Sequence, residues 1–261
     1  MLSAIRISLF LLLTSSIVWA QDRTEYKEVV FNNGDFSLPY RILYPQNYDT
    51  KKSYPLILFL HGAGERGSDN EKQLIHGSKL FLNSVNRQRF PAIVVFPQCP
   101  EEGFWSKVDM STNSEGIREF DFSVKGDPTP SMQATLGLLD SLHKLNTVNT
   151  SKIYVGGLSM GGMGTFEIVS RRPKLFAAAF PICGGGNPES VKKYAKKVPF
   201  WVFHGAKDDV VPPELSQNMV DALKSHQGEV KFTLYPDANH NSWDAAFAEP
   251  DLLPWIFSRS K

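Results

Sequence analysis

Lys152-Ile153-Tyr154-Val155-Gly156-Gly157-Leu158-Ser159-Met160-Gly161-Gly162 is the stretch that decides the fold. A short apolar, β-rich run leads into Gly157-x-Ser159-x-Gly161, and a helical pattern runs from Met160 to Arg172. Strand, sharp turn and helix are the setting of a nucleophile elbow. The chemistry explains the residue types. A serine hydroxyl must stand exposed on the turn so that a carbonyl carbon can reach it. The flanking backbone approaches its neighbours too closely for side chains, which selects glycine. The spacing alone arises by chance in about one chain in ten of this length, so the surroundings carry the weight.

Working outward, Tyr54–Leu60 (YPLILFL) is a continuous apolar run. So are Pro91–Phe96, Ala177–Pro181 and Pro199–Phe203, and Val230–Tyr235 completes the set. Runs without alternation suit strands buried on both faces of a parallel sheet. Helical patterns lie between them at Pro130–Leu145, Met160–Arg172, Pro188–Lys196 and Pro213–Ser225, each opening near a proline or a polar cap. Strand alternating with helix implies an α/β fold: a mostly parallel central sheet with right-handed crossovers and helices on both faces. Two further strand-like runs, Tyr26–Phe31 and Leu38–Tyr44, flank Asn32-Asn33-Gly34-Asp35, a hairpin turn signal. Pro100–Thr129 resists regular assignment; it follows a strand's carboxyl end, where such sheets bind ligands, and reads as a lid or pocket wall.

Partners for the serine belong at the carboxyl ends of later strands, in the order acid, then histidine. After the run ending at Phe203 comes His204-Gly205-Ala206-Lys207-Asp208-Asp209-Val210. After Tyr235 comes Pro236-Asp237-Ala238-Asn239-His240. Ser159 is then the nucleophile and His240 its base, with Asp208 holding the imidazole in one tautomer. Asp208 lies nearer the strand end than its rival, Asp209. The loop after YPLILFL reads His61-Gly62-Ala63-Gly64-Glu65-Arg66-Gly67. Its glycines let backbone amides turn inward, so the N–H groups of Ala63 and Met160 are the expected oxyanion donors. The loop lacks the Gly-Lys-Ser/Thr ending of a phosphate loop. Trp105, Trp243 and Glu65 are candidate substrate contacts, although Trp243 reads equally as an anchor for the last helix. His61 and His204 read as structural hydrogen bonders, Trp201 as core, and His76 and His226 suggest no partner.

Bulk properties narrow the function. Arg6, the apolar run Ile7–Leu13, and Val18 and Ala20 ahead of Gln21 form a signal-peptide pattern with cleavage after Ala20. The run is shorter than the ~20 apolar residues of a membrane span. Residues 1–20 are therefore expected to be removed, leaving 21–261 as one catalytic domain that is secreted or periplasmic and has no stable membrane anchor. That segment carries 27 Lys and Arg against 27 Asp and Glu, because Arg6 is the only charge before it. Nothing in this balance suggests a nucleic-acid partner. No His-Glu-x-x-His or Cys-x-x-Cys pattern appears, so neither cofactor nor metal is implied. Cys99 and Cys183 fall three strand steps apart in the expected sheet, about 14 Å, too far for a disulfide.

The chain resembles the α/β-hydrolase superfamily. The matching segments are LFLHGAGERGSDN (58–70), VVFPQCP (94–100), GGLSMGG (156–162), PICGGG (181–186), FHGAKDDVVPP (203–213) and YPDANHNSW (235–243). They are most similar to the phospholipase/carboxylesterase, esterase-D and "predicted peptidase" (prolyl-oligopeptidase-like) branch, which borders the feruloyl and acetyl-xylan esterases. The resemblance implies Ser159, Asp208 and His240 as a triad, Ala63 and Met160 at the oxyanion hole, and no cofactor. It also implies a serine carboxylic-ester hydrolase working through an acyl-enzyme, without settling the substrate; export, an open site and Trp105 and Trp243 beside it make deacylation of polysaccharides (acetyl or feruloyl esters) the first expectation. A serine peptidase, or a non-catalytic binding protein on the same fold, is the alternative. Short strand-to-helix spacings outside 100–129 leave no room for a large cap domain.

Overall fold

The computed structural model describes residues 23–34, 36–116, 118–122 and 126–261. The signal-peptide reading of 1–20 lies outside the described residues. Among the described residues there are ten strands: β1 (Lys27–Asn32), β2 (Ser37–Leu43), β3 (Tyr54–Leu60), β4 (Ile93–Pro97), β5 (Asp109–Thr112), β6 (Arg118–Asp121), β7 (Val148–Leu158), β8 (Ala178–Ile182), β9 (Phe200–Gly205) and β10 (Val230–Tyr235). The helices are α1 (Ser78–Leu82), α2 (Ser84–Arg89), α3 (Pro130–His143), α4 (Met160–Arg171), α5 (Pro213–Ser225), α6 (Trp243–Ala248) and α7 (Leu252–Phe257).

Eight strands form one sheet in the order β1-β2-β4-β3-β7-β8-β9-β10. From β4 through β10 every neighbouring pair is parallel, while β1–β2 and β2–β4 are antiparallel. The apolar runs explain the centre of this sheet. Successive side chains of a strand point to opposite faces. Leu56, Leu58 and Leu60 of β3 enter one core with residues of α3, α4 and α5, such as Leu139, Ile168 and Val220. Ile57 and Phe59 enter the other with Phe81, Ala246, Leu252 and Ile256 from α1, α6 and α7. Each of those strand residues is fully buried, contributing about 1.5–3 kcal/mol of transfer free energy. The β1–β2 turn is held by Asn33, whose Oδ1 accepts the Phe36 N–H at 3.0 Å, with Gly34 at φ 88°.

Three departures from the sequence reading are local. Residues 100–129 contain a small antiparallel ribbon, β5–β6. Its four-residue strands are polar and mostly exposed, so they leave no apolar pattern to read. The segment expected to be helical over Pro188–Lys196 is a 3-10 turn over Pro188–Lys193. The short helices α1 and α2 sit in a stretch that carries no long period.

The parallel strands aim their carboxyl ends at one edge. Residues 61–70 follow β3, Ser159 follows β7, residues 206–212 follow β9 and His240 follows β10. This is where open parallel sheets place their ligand crevice.

Candidate active site

Ser159 caps α4 with φ 53° and ψ −117°, backbone that a residue with a side chain adopts only when its surroundings enforce it. They do so here. A Cβ on Gly161 would collide with the Leu60 carbonyl, and one on Gly157 would collide with Gly161. The turn is thus wedged against β3, and its amide is tied by Ser159 N–H donating to the Ile182 carbonyl at 2.9 Å.

Ser159 Oγ lies 3.0 Å from His240 Nε2, and His240 Nδ1 lies 2.8 Å from Asp208 Oδ2. Nδ1–H donates to the carboxylate, so Nε2 is left to accept the serine hydroxyl. The structure therefore brings Ser159, Asp208 and His240 together, while Asp209 is exposed. Four donors reach Asp208. Besides His240, His204 Nε2 lies 3.1 Å from Oδ2, and the N–H groups of Val210 and Val211 each lie 2.9 Å from Oδ1. Burial alone would raise this carboxyl. The bonds from His204, His240 and Val211 overcome it and hold the group well below the usual carboxylate range. His204 is buried, with Nε2 also 2.9 Å from the Val211 carbonyl and Nδ1 2.7 Å from Ser216 Oγ.

The 61–70 loop is braced from behind. The Cys99 N–H donates to His61 Nε2 at 2.9 Å, which leaves Nδ1–H for the Gly62 carbonyl at 2.6 Å. Burial lowers the His61 pKa to about 4, so the ring is neutral at physiological pH. Gln98 Oε1 accepts the Asn70 N–H at 2.7 Å, and the Cys99 carbonyl accepts the Gly67 N–H at 3.0 Å. Ala63 opens a single 3-10 turn and is exposed. The loop touches the elbow, since a Cβ on Gly62 would stand 3.7 Å from Ser159 Cβ. Met160 is the first residue of α4, so its N–H has no acceptor within the helix.

Trp105 is not where the sequence placed it. The ring is fully buried and its Nε1–H donates to the His61 carbonyl at 3.0 Å. It cannot touch a substrate; it packs under Gly164 of α4 and supports the 61–70 loop. Trp243 is half-buried, 5.4 Å from the His240 ring and nearly perpendicular to it. Glu65 is buried, and His76 does have partners: Nε2 is 3.7 Å from Glu65 Oε1, and its ring is 5.1 Å from Trp243. Desolvation raises the Glu65 carboxyl, opposed by His76 and by the amides of Gly62 and Glu65 itself. The signal missed was His76, an isolated histidine in a loop with no periodic neighbours.

Cys99 and Cys183 are free and buried. Cys183 Sγ, an Asp208 oxygen and a His240 ring nitrogen lie within 4.8 Å of one another, a spacing that a cation could bridge. Burial pushes the thiol up, which keeps it protonated, and the Asp208–His240 bond already occupies the facing lone pairs.

Residues 47–249 match the phospholipase/carboxylesterase family. The chain belongs to that family. By family it is an ester hydrolase. It is 34% identical over 201 residues to the bifunctional acetylxylan esterase/xylanase XynS20E of Neocallimastix patriciarum, a match covering 77% of this chain and 26% of that protein. The chain thus corresponds to about a quarter of that relative's length. It is 26% identical over 211 residues to acyl-protein thioesterase 1 of Emericella nidulans, covering 74% of this chain and 85% of that one. Among solved structures, a thermostable esterase superposes with a TM-score of 0.81 at 31% identity, over 92% of this chain and 64% of the other.

Proposed function

We propose that the family member described here is an exported serine carboxylic-ester hydrolase that removes acyl groups from polysaccharide through an acyl-enzyme on Ser159. The observation that carries this reading is the unbroken relay: Ser159 Oγ to His240 Nε2 at 3.0 Å, and His240 Nδ1 to Asp208 Oδ2 at 2.8 Å. His240 takes the serine proton as Oγ attacks the ester carbonyl, and Asp208 stabilises the imidazolium that forms. The N–H groups of Ala63 and Met160 receive the developing oxyanion. His240 then returns the proton to the leaving alkoxide, and water repeats the sequence to release the acid.

The polysaccharide substrate is supported by the acetylxylan esterase relative. Export is supported by the pattern ending at Ala20. Among the described residues no helix is long and apolar enough to cross a membrane. Acetate release from acetylated xylan, beside hydrolysis of p-nitrophenyl acetate, tests the substrate. The expected result is turnover of both. Cleavage of the nitrophenyl ester without acetate release would remove the polysaccharide reading and leave the esterase. A dipeptide amide in the same panel gives the peptidase alternative its test.

A further inference from the structure

Glu65 Oε1 and His76 Nε2 stand 3.7 Å apart, too far for a hydrogen bond to each other. The gap lets a single hydroxyl oxygen touch both, accepting from an imidazole N–H and donating to the carboxylate. Both groups are held in place. The Glu65 N–H donates to the Gly62 carbonyl at 3.4 Å, closing the 3-10 turn that carries the carboxylate. A Cβ on Gly62 would stand 3.0 Å from Glu65 Oε2 and 3.7 Å from Ser159 Cβ, so this carboxylate is one residue's width from the nucleophile. The His76 ring packs 5.1 Å from Trp243, which packs 5.4 Å from His240. His240, Trp243, His76 and Glu65 form a row that begins at the base.

The exposures fit a binding role. The Glu65 side chain is 10% exposed and that of His76 32%, so neither is sealed and both can meet a ligand. An ion pair alone is a weak reason for the arrangement, since a pair with one partner this exposed contributes at most about 1 kcal/mol, whereas burying a carboxylate is costly. Beyond His76 a groove of about 580 Å³ continues, lined by Ile75, Asn83, Asp244 and Phe247 among others.

We propose that Glu65, His76 and Trp243 form a subsite for the alcohol portion of the ester, and that this alcohol is a neutral, hydroxyl-bearing sugar. One sugar hydroxyl bridges His76 Nε2 and Glu65 Oε1, the C–H face of the ring lies on Trp243, and the groove takes the next sugar. The alcohol side is indicated because His240, at the head of the row, is the group that protonates the leaving alkoxide. One acidic and one basic side chain, Asp244 and Lys79, line the groove, which gives it no net pull on a charged alcohol. The inference rests on the polysaccharide reading above.

The test compares two acetyl esters that differ only in their alcohol: an acetylated xylo-oligosaccharide and p-nitrophenyl acetate. It uses the whole protein and the variants Glu65→Gln and His76→Phe, normalised by fluorophosphonate titration of Ser159. His76→Phe keeps a ring against Trp243, removes the N–H and leaves Glu65 unchanged. The ratio of kcat/KM for the sugar ester to that for the nitrophenyl ester is expected to fall about tenfold or more in each variant, chiefly through KM. A ratio within twofold of wild type in both variants overturns the subsite. Wild-type protein that cleaves only the nitrophenyl ester overturns the polysaccharide reading, and the subsite with it.

Discussion

Two loops of this molecule share one local pattern and use it differently. His61-Gly62-Ala63-Gly64-Glu65 follows β3, and His204-Gly205-Ala206-Lys207-Asp208 runs out of the last two residues of β9. Each places a buried histidine at a strand end and a carboxylate four residues on. In the second loop the histidine reaches its acid, with His204 Nε2 3.1 Å from Asp208 Oδ2, and four donors keep that acid ionised. In the first loop the histidine turns away, bonding the Cys99 N–H and the Gly62 carbonyl. Glu65 is left with a distant His76, 3.7 Å away, and its carboxyl is raised by burial. The pattern positions an acid at the rim of the sheet; the donors around it decide whether that acid is a fixed charge or a group with capacity to spare.

The largest effects test the fixed charge. Ser159→Ala and His240→Ala are each expected to remove nearly all turnover of p-nitrophenyl acetate, about 10⁴-fold or more. Asp208→Asn is expected to lower kcat by up to about 10⁴ through the wrong tautomer of His240. Asp209→Asn, an exposed position, is expected to stay near wild type. An Asp209→Asn loss as large as that of Asp208→Asn would break the assignment of the acid.

How far the sequence reaches follows from the same contrast. Strands buried on both faces leave continuous apolar runs, so β3, the end of β7 and β9 were legible with the turns after them, while the edge strand β10 showed only as a short β-branched and aromatic run. The residues read as serine, acid and base from those loops stand together in the fold. The rim was less legible. Trp105 sits in a polar stretch and reads as a pocket wall; only the packing beneath Gly164 and the bond to the His61 carbonyl reveal it as a brace. The ribbon β5–β6 is too short and polar to show a period. His76 gains its meaning from Glu65 and Trp243, which reach it only through tertiary structure.

A middle-sized effect separates the two histidines. His204→Leu removes a donor from Asp208 and frees the carboxylate to shift relative to His240. Displacements of this kind cost roughly ten- to a hundredfold in kcat. His204→Gln, which presents an amide N–H near the position of Nε2, is expected to recover most of the loss. In an Asp208→Asn background, His204→Leu should add little, because its target is gone. His61→Leu is expected to act mainly on stability. It orphans the Cys99 N–H, costing about 1–3 kcal/mol, read as a fall in Tm. The pH dependence carries a further sign. The His61 pKa is lowered from 6.5 to about 4 by burial, so the unfolded chain binds a proton that the folded one refuses. Its contribution is complete above pH 6.5 and is lost as pH falls toward 4, amounting to about 3 kcal/mol across that window. His61→Leu should therefore flatten the fall in Tm with acid between those values. A kcat loss from His61→Leu as large as that from His204→Leu, at equal stability, would erase the distinction between the loops.

The smallest effect falls on Glu65, and its sign is opposite to that of Asp208. A carboxyl raised in the folded state stabilises the fold only at low pH; that contribution fades as pH rises through the folded value, after which the buried charge is a cost. Asp208 is depressed, so its contribution is present at neutral pH and is lost as acid titrates it. Glu65→Gln has no charge to desolvate and keeps the size and shape of the side chain. At pH 7 it is expected to raise Tm by about 1 °C or more, and the gain should shrink as the buffer is taken toward pH 4. Asp208→Asn should lower Tm at pH 7. Thermal scans of both variants at the two pH values read this directly. A Glu65→Gln protein less stable than wild type at pH 7 would make that carboxylate an anchor of its loop. A more stable one shows a residue kept at some expense to the fold, as expected of a group whose partner arrives with the substrate.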